Sequence, residues 1–171
     1  MPDIKMQTVS KFAVVAAVAL GIGMMVLGSF FIAMGLNARG DIGEALVKEQ
    51  VITSKDAAVP GVLVHDARTA EIQQDVIESH TFGRWGPYSQ MEREDPNRQV
   101  YINGLVLRNS LNLAIVGFGV ADLAIGVGAV TVVLGLIIAG LAVPVHLLMM
   151  RTRHQAEIEK AGLVIAETRA T

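Results

Sequence analysis

Four histidines and one carboxylate are the residues through which this chain could do chemistry: His65, His80, His146, His154 and Asp122. His65 and His80 with a carboxylate such as Glu78 would give the two-histidine, one-carboxylate set that holds non-haem iron. Their spacing matches no ligand motif, so surface or capping roles are the ordinary reading, and no metal or other cofactor is expected. Asp122 has the stronger claim. It lies in the run Leu111 to Met150, where the only other ionisable side chain is His146. A carboxylate deep in lipid costs roughly 2.5–3.5 kcal/mol on insertion scales and then marks an ion or proton path. A carboxylate at the lipid boundary needs only water or a basic neighbour. The boundary reading is favoured here, and His146, beside Pro144 and close to Arg151, is placed at the opposite headgroup layer. The absence of cysteine removes disulfides, thiolate metal sites and a cysteine nucleophile.

Two further groups of residues point to contact rather than catalysis. Small residues recur every seven positions: Gly21, Gly28 and Gly35 in one apolar run, and Ala114, Ala121, Gly128, Gly135 and Ala142 in the other. Lipid supplies no hydrophobic force between helices, so close approach over such stripes is how membrane helices gain packing contact. The stripes suit either each other or a helix of another protein. Trp85 and Tyr88 fall in TFGRWGPYSQ, where two glycines and a proline predict an irregular loop over 81–90. There they either dock a partner or fold back onto their own domain; docking is slightly favoured. The pairs Gly117/Gly119 and Gly126/Gly128 follow no strand and sit in apolar helix, so a phosphate loop is not expected.

The elements that position these residues are set by hydropathy. Phe12 to Leu36 holds no charge, and its 25 residues span about 37 Å as a helix, enough for a bilayer core of roughly 30 Å. A cleaved signal has a much shorter apolar core of about 7–15 residues, so an uncleaved anchor is expected. From Asn37 to Ser110 eight Lys or Arg stand against eleven Asp or Glu, and that segment must lie in water. Within it Asp41 to Gln50 extends the first helix, Ile52 to Gly61 is turn and extended chain, and Asp66 caps a helix ending near His80. That helix offers Ala70, Ile72, Val76 and Ile77 as its apolar face. Asp95–Pro96 starts a final helix. From Pro96 to Met150 a single helix would measure about 80 Å, more than twice the bilayer core. The span is therefore assigned to 122–150, with Leu111 to Ala121 as a stalk packed on the domain before it. Two short spans, or a re-entrant turn near Gly126 to Gly128, are the alternative. The tail 151–171 is short and charged, with Ala156, Lys160, Leu163 and Val164 hinting at an amphipathic helix.

These readings combine into an all-α membrane protein. An antiparallel two-helix transmembrane hairpin (12–36 and 122–150) carries a small helical extracytoplasmic domain and stalk (37–121), and the long second helix extends out of the membrane. Lys5 and Lys11 before the first span and Arg151 and Arg153 after the second place 1–11 and 151–171 in the cytoplasm of an inner membrane. Arg39 and Arg108 weaken that contrast without reversing it. Net charge is only −2 with dispersed basic residues, which argues against nucleic acid as a partner. With 171 residues, 52% of them hydrophobic, the chain is too short for a multi-span transporter acting alone.

The segments VITSKDA (51–57), IESH (77–80), YSQMEREDPNR (88–98) and LRNSLNLAIVGFGVADLAIGVG (107–128) resemble a family of small two-span actinobacterial membrane proteins often labelled aromatic ring-opening dioxygenase. The label implies a soluble iron enzyme, for which the chain offers neither a ligand set nor a ring pocket. The resemblance implies architecture and the role of a non-catalytic accessory subunit bound to a larger membrane assembly. A respiratory supercomplex and a lipid or solute transporter are the natural hosts, with integral membrane subunits and the bilayer as partners. Two other readings stand beside it: a homo-oligomer with an ion or proton path through Asp122, and a self-associating envelope protein joined over its small-residue stripes.

Overall fold

The computed structural model describes residues 2–170; the side chains of 2–11, of Met149 and of most positions beyond 152 are outside what it describes. Lys5, Lys11 and Arg153, which set the expected orientation, fall there, as do Ala156, Lys160, Leu163 and Val164 of the expected amphipathic tail. The described chain is helical, with no strand: α1 is Pro2–Lys48, α2 is Ala67–Trp85 and α3 is Arg98–Ala170. Within α1 and α3, Phe12–Lys48 and Arg98–Thr152 are long and apolar enough to cross a membrane. Little of either is covered by the rest of the protein. Phe12 is 76% and Leu123 66% exposed, whereas the core helix of a soluble domain would hide such side chains.

Contacts divide the chain into two units, Met1–Phe30 with Gly128–Thr171, and Phe31–Val127. In the first, α1 and α3 run antiparallel with glycine against glycine. A Cβ added at Gly21 would stand 2.6 Å from the Gly135 carbonyl oxygen, and one at Gly28 would stand 2.5 Å from that of Gly128. Seven residues forward on α1 thus answer seven residues back on α3. Pro144 lies inside α3, where it forgoes one backbone hydrogen bond. The helix passes unbroken through Gly126 to Gly128, so the alternative of a turn there does not hold.

The second unit packs α2 between the end of α1 and the start of α3. Its core is Val64, Ala70, Ile77 and Leu111, with Leu46, Val51 and Ile115 against them. Gln50 ends α1 at φ 51°, and the loop that follows is tied by Thr53. The Thr53 amide donates to the Val62 carbonyl (2.8 Å), and its hydroxyl donates to Val59 (2.6 Å) and accepts from the Val62 amide (2.9 Å). The amide of Val64 closes the loop on the Val51 carbonyl at 2.8 Å.

Three boundaries or faces differ from the sequence expectation. The helix expected to end near His80 runs on to Trp85, because Gly86 at φ 72° supplies the stop, its amide donating to the Phe82 carbonyl at 2.8 Å. Thr81 fits inside that helix by donating its hydroxyl to the Ile77 carbonyl at 2.6 Å. The buried face of α2 is Thr69, Ala70, Gln73, Val76, Ile77 and Thr81, while Ile72 is only half-buried. Gln73 is affordable inside because its Oε1 accepts the Ser54 amide at 2.9 Å. Helix α3 starts at Arg98 rather than Pro96, since the Asp95 carboxylate turns the chain by accepting the Asn97 amide at 2.7 Å.

Candidate functional site: the small-residue seam and the Arg39–Asp122 pair

Of the small residues singled out by spacing, Gly21, Gly28, Gly128 and Gly135 meet between α1 and α3 in the first unit, and Gly35 and Ala121 in the second. Gly21, Gly28, Gly128 and Gly135 are buried in the first, and Gly35 and Ala121 in the second, while Ala114 and Ala142 are half-buried. A Cβ at Gly35 would lie 2.6 Å from the Ala121 carbonyl oxygen and 2.7 Å from Ile125. No side chain larger than hydrogen fits at Gly21, Gly28 or Gly35 without separating the helices. Packing of this closeness is how helices gain contact where a surrounding apolar phase supplies no hydrophobic force.

One turn beyond Gly35 the Arg39 guanidinium reaches the Asp122 carboxylate at 2.5 Å, with both side chains about half exposed (51% and 53%). Asp122 is therefore a cross-helix ion-pair partner. In water such a pair contributes about 0.2–1 kcal/mol, and its Coulomb attraction rises as the local dielectric falls. Arg39 entered the sequence reading only through its bearing on orientation, not as the partner of Asp122. It is the first cation after an uncharged run, and that position was the available signal.

Beside this pair is an open groove of about 620 Å³ lined by Arg39, Glu44, Lys48, His65, Asp66 and Phe118 among others. The Thr69 hydroxyl, and then the Thr69 amide, hold the Asp66 carboxyl below its ordinary value. That carboxylate is occupied as the cap of α2, accepting the Thr69 amide at 2.8 Å, while Thr69 Oγ1 accepts the Asp66 amide at 3.1 Å. Charges of both signs line the groove, so it is not a simple anion or cation site.

The histidines do not converge. His65 meets the Leu63 carbonyl through Nδ1 at 2.9 Å, His80 meets Asp56 through Nε2 at 2.6 Å, and Glu78 pairs with Arg108 at 3.4 Å. His146 and His154 are both on α3. Among the described residues no three His, Asp or Glu gather as a metal would require. Trp85 and Tyr88 both fold onto Tyr101, at ring centroid distances of 6.3 and 5.6 Å. Arg98 lies over the Tyr88 ring and donates to its hydroxyl at 2.6 Å. Tyr101, 4% exposed, is the platform that sequence reasoning missed; it stands three residues into a helix whose start was placed two residues early.

What this arrangement can do is hold helices together at short range and offer apolar faces to a surrounding phase or partner. No protein-family model matches the chain, and no curated protein or solved structure is similar to it.

Proposed function

We propose that the chain is a two-span protein of the bacterial inner membrane that serves as a non-catalytic accessory or scaffold subunit of a larger membrane complex. Both termini lie in the cytoplasm, 12–36 and 122–150 cross the bilayer as an antiparallel hairpin, and 37–121 stands outside as helical domain and stalk. The host is a respiratory supercomplex or a lipid or solute transporter. One observation carries the reading: large apolar side chains remain exposed from Phe12 to Leu36 and from Val100 to Leu148, while the buried apolar side chains described all lie in the second unit. Such surfaces need lipid and neighbours.

Purification of the tagged protein from native membranes in mild detergent, followed by mass analysis, tests the role. A stoichiometric set of integral membrane subunits is expected. A chain that emerges without any other polypeptide overturns it. The rival ion-path reading is weakened by the Arg39 partner of Asp122. Asp122→Asn is expected to leave association with the host intact and any host activity unchanged; loss of activity with assembly intact would favour the ion path.

A further inference from the structure

The face of α3 turned away from α1 follows a repeat of its own. Every seventh residue from Val106 to Leu148 is Val or Leu. In the second unit these are among the most exposed apolar side chains, Val106 at 60%, Leu113 at 73% and Val120 at 61%. Three positions on from each come Asn109, Val116 and Leu123, the last two 54% and 66% exposed. With about 100° of rotation per residue, Val116 and Leu123 stand about 180° around the helix from the midpoint of Phe118 and Ala121, both 2% exposed. Among the described residues from Val106 to Leu123, helix α3 thus carries two seams, and its own chain fills the one at Phe118 and Ala121.

We propose that this outward face of α3, from Val106 to Val127, binds the same face of a second copy of the chain, with the two α3 helices parallel and in register. The inference rests on the two-span reading, which fixes where lipid ends. With Asp122 at the outer boundary, Leu113 and Val116 lie about 9–14 Å farther out along the helix, beyond a headgroup layer of roughly 5–8 Å. Lipid cannot cover them, and water should not. Seven-residue repeats of large apolar residues sustained over about three or more heptads favour helix pairing, with e and g charges as the usual choosers of partner; here those flanking positions are uncharged. The Val and Leu positions of this repeat continue into the span, so an occupant that follows them is itself a membrane helix, and a second copy supplies one of the same repeat by symmetry.

Charge and shape agree. No ionisable residue occupies the repeat, or the flanking positions Asn112, Gly119 and Gly126, between Gln99 and Val127, so two copies do not repel each other there. Gly119 and Gly126 have open space where a Cβ would be, which lets a second backbone come close. Asn109 interrupts the apolar seam once and meets its own symmetry mate. A lone Asn in such a seam fixes register, because any shifted pairing leaves its amide facing apolar side chains.

The chain contains no cysteine, so single-cysteine variants at Leu113, Val116 and Val120 can be oxidised in native membranes and compared with exposed controls at Val47 and Glu71. Disulfide-linked homodimers are expected at the first three positions and not at the controls. Leu113→Glu together with Val120→Glu, on the otherwise intact chain, should raise the dimer dissociation constant by about tenfold or more in detergent while helix content stays unchanged. Equal linkage at test and control positions, linkage at Leu113 to a different polypeptide, or a dimer that survives the double substitution would each overturn the proposal. A homodimer that purifies with no other subunit would sink the accessory role and leave this inference standing; linkage at Leu113 to a host subunit would do the reverse.

Discussion

Asp66 holds the front of α2 with one carboxylate that accepts both the amide and the hydroxyl of Thr69, at 2.8 and 2.7 Å. Both bonds favour the ionised form, which is why its pKa is lowered from the ordinary 3.8. A carboxyl with a depressed folded value adds stability that is present above its unfolded value and lost as pH falls through the folded one. Asp66→Ala should therefore destabilise the protein by about 1 kcal/mol at pH 7, the usual worth of an N-cap. The gap between variant and wild type should close as the pH falls through about 4 and below. Thermal unfolding followed by circular dichroism in detergent at neutral and acid pH measures this, and an undiminished gap in acid would refute the capping account. Asp66→Asn, which accepts the same amide without titrating, should keep most of the stability at both pH values.

Helix α1 shows how the same residue type serves opposite ends along one element. At Gly28 a Cβ would meet the Gly128 carbonyl at 2.5 Å and Val132 at 2.8 Å, whereas at Gly40 nothing lies within 4 Å. Gly28→Ala should cost about 1–3 kcal/mol through overpacking. Gly40→Ala should stabilise α1 by up to about 1 kcal/mol, since a helical glycine gives up more backbone entropy than alanine. Denaturant titration of each variant in micelles decides the matter, and equal effects at the two sites would mean the seam does not form. The small-residue stripes were legible because a seven-residue spacing is a local pattern that helix geometry turns directly into a face. So were the two apolar runs. Which helix each stripe meets was not, since that depends on contacts about 100 residues apart. The end of α2 was not, because Gly83 and Gly86 read alike in sequence and only the left-handed backbone at Gly86 distinguishes the stop from the passenger. Nor was its buried face, since the Ser54–Gln73 hydrogen bonds that let a glutamine replace Ile72 inside join residues 19 apart. The Arg39–Asp122 pair, 83 residues apart, has no local signature beyond Arg39's place just after one apolar run and Asp122's isolation inside the other.

For the molecule as a whole, orientation in the bilayer follows from which cations flank the spans. Arg39 and Arg108 sit on the side assigned to the exterior, and in the folded protein each has a carboxylate partner, Asp122 and Glu78. In the two-span reading proposed above, Lys5, Lys11, Arg151 and Arg153 flank the apolar runs on the opposite side, and cations there favour retention in the cytoplasm. Because the chain lacks cysteine, a single cysteine reports its own compartment. Cysteines at Lys55 and Glu71 should react with a membrane-impermeant maleimide in intact spheroplasts. One at His154 should react only after permeabilisation, and one at Val26, 67% exposed in the protein alone, should resist in both cases because lipid covers it. Labelling of Val26 in water would mean α1 does not cross the bilayer. Reversal of the other three would keep the two spans and invert the protein, placing the Asp66 cap, the aromatic cluster on Tyr101 and the outward seam at Leu113 in the cytoplasm. That reversal would separate architecture from orientation: close packing of glycine on glycine needs only lipid, whereas the compartment of the second unit depends on a few basic side chains near the ends of the spans.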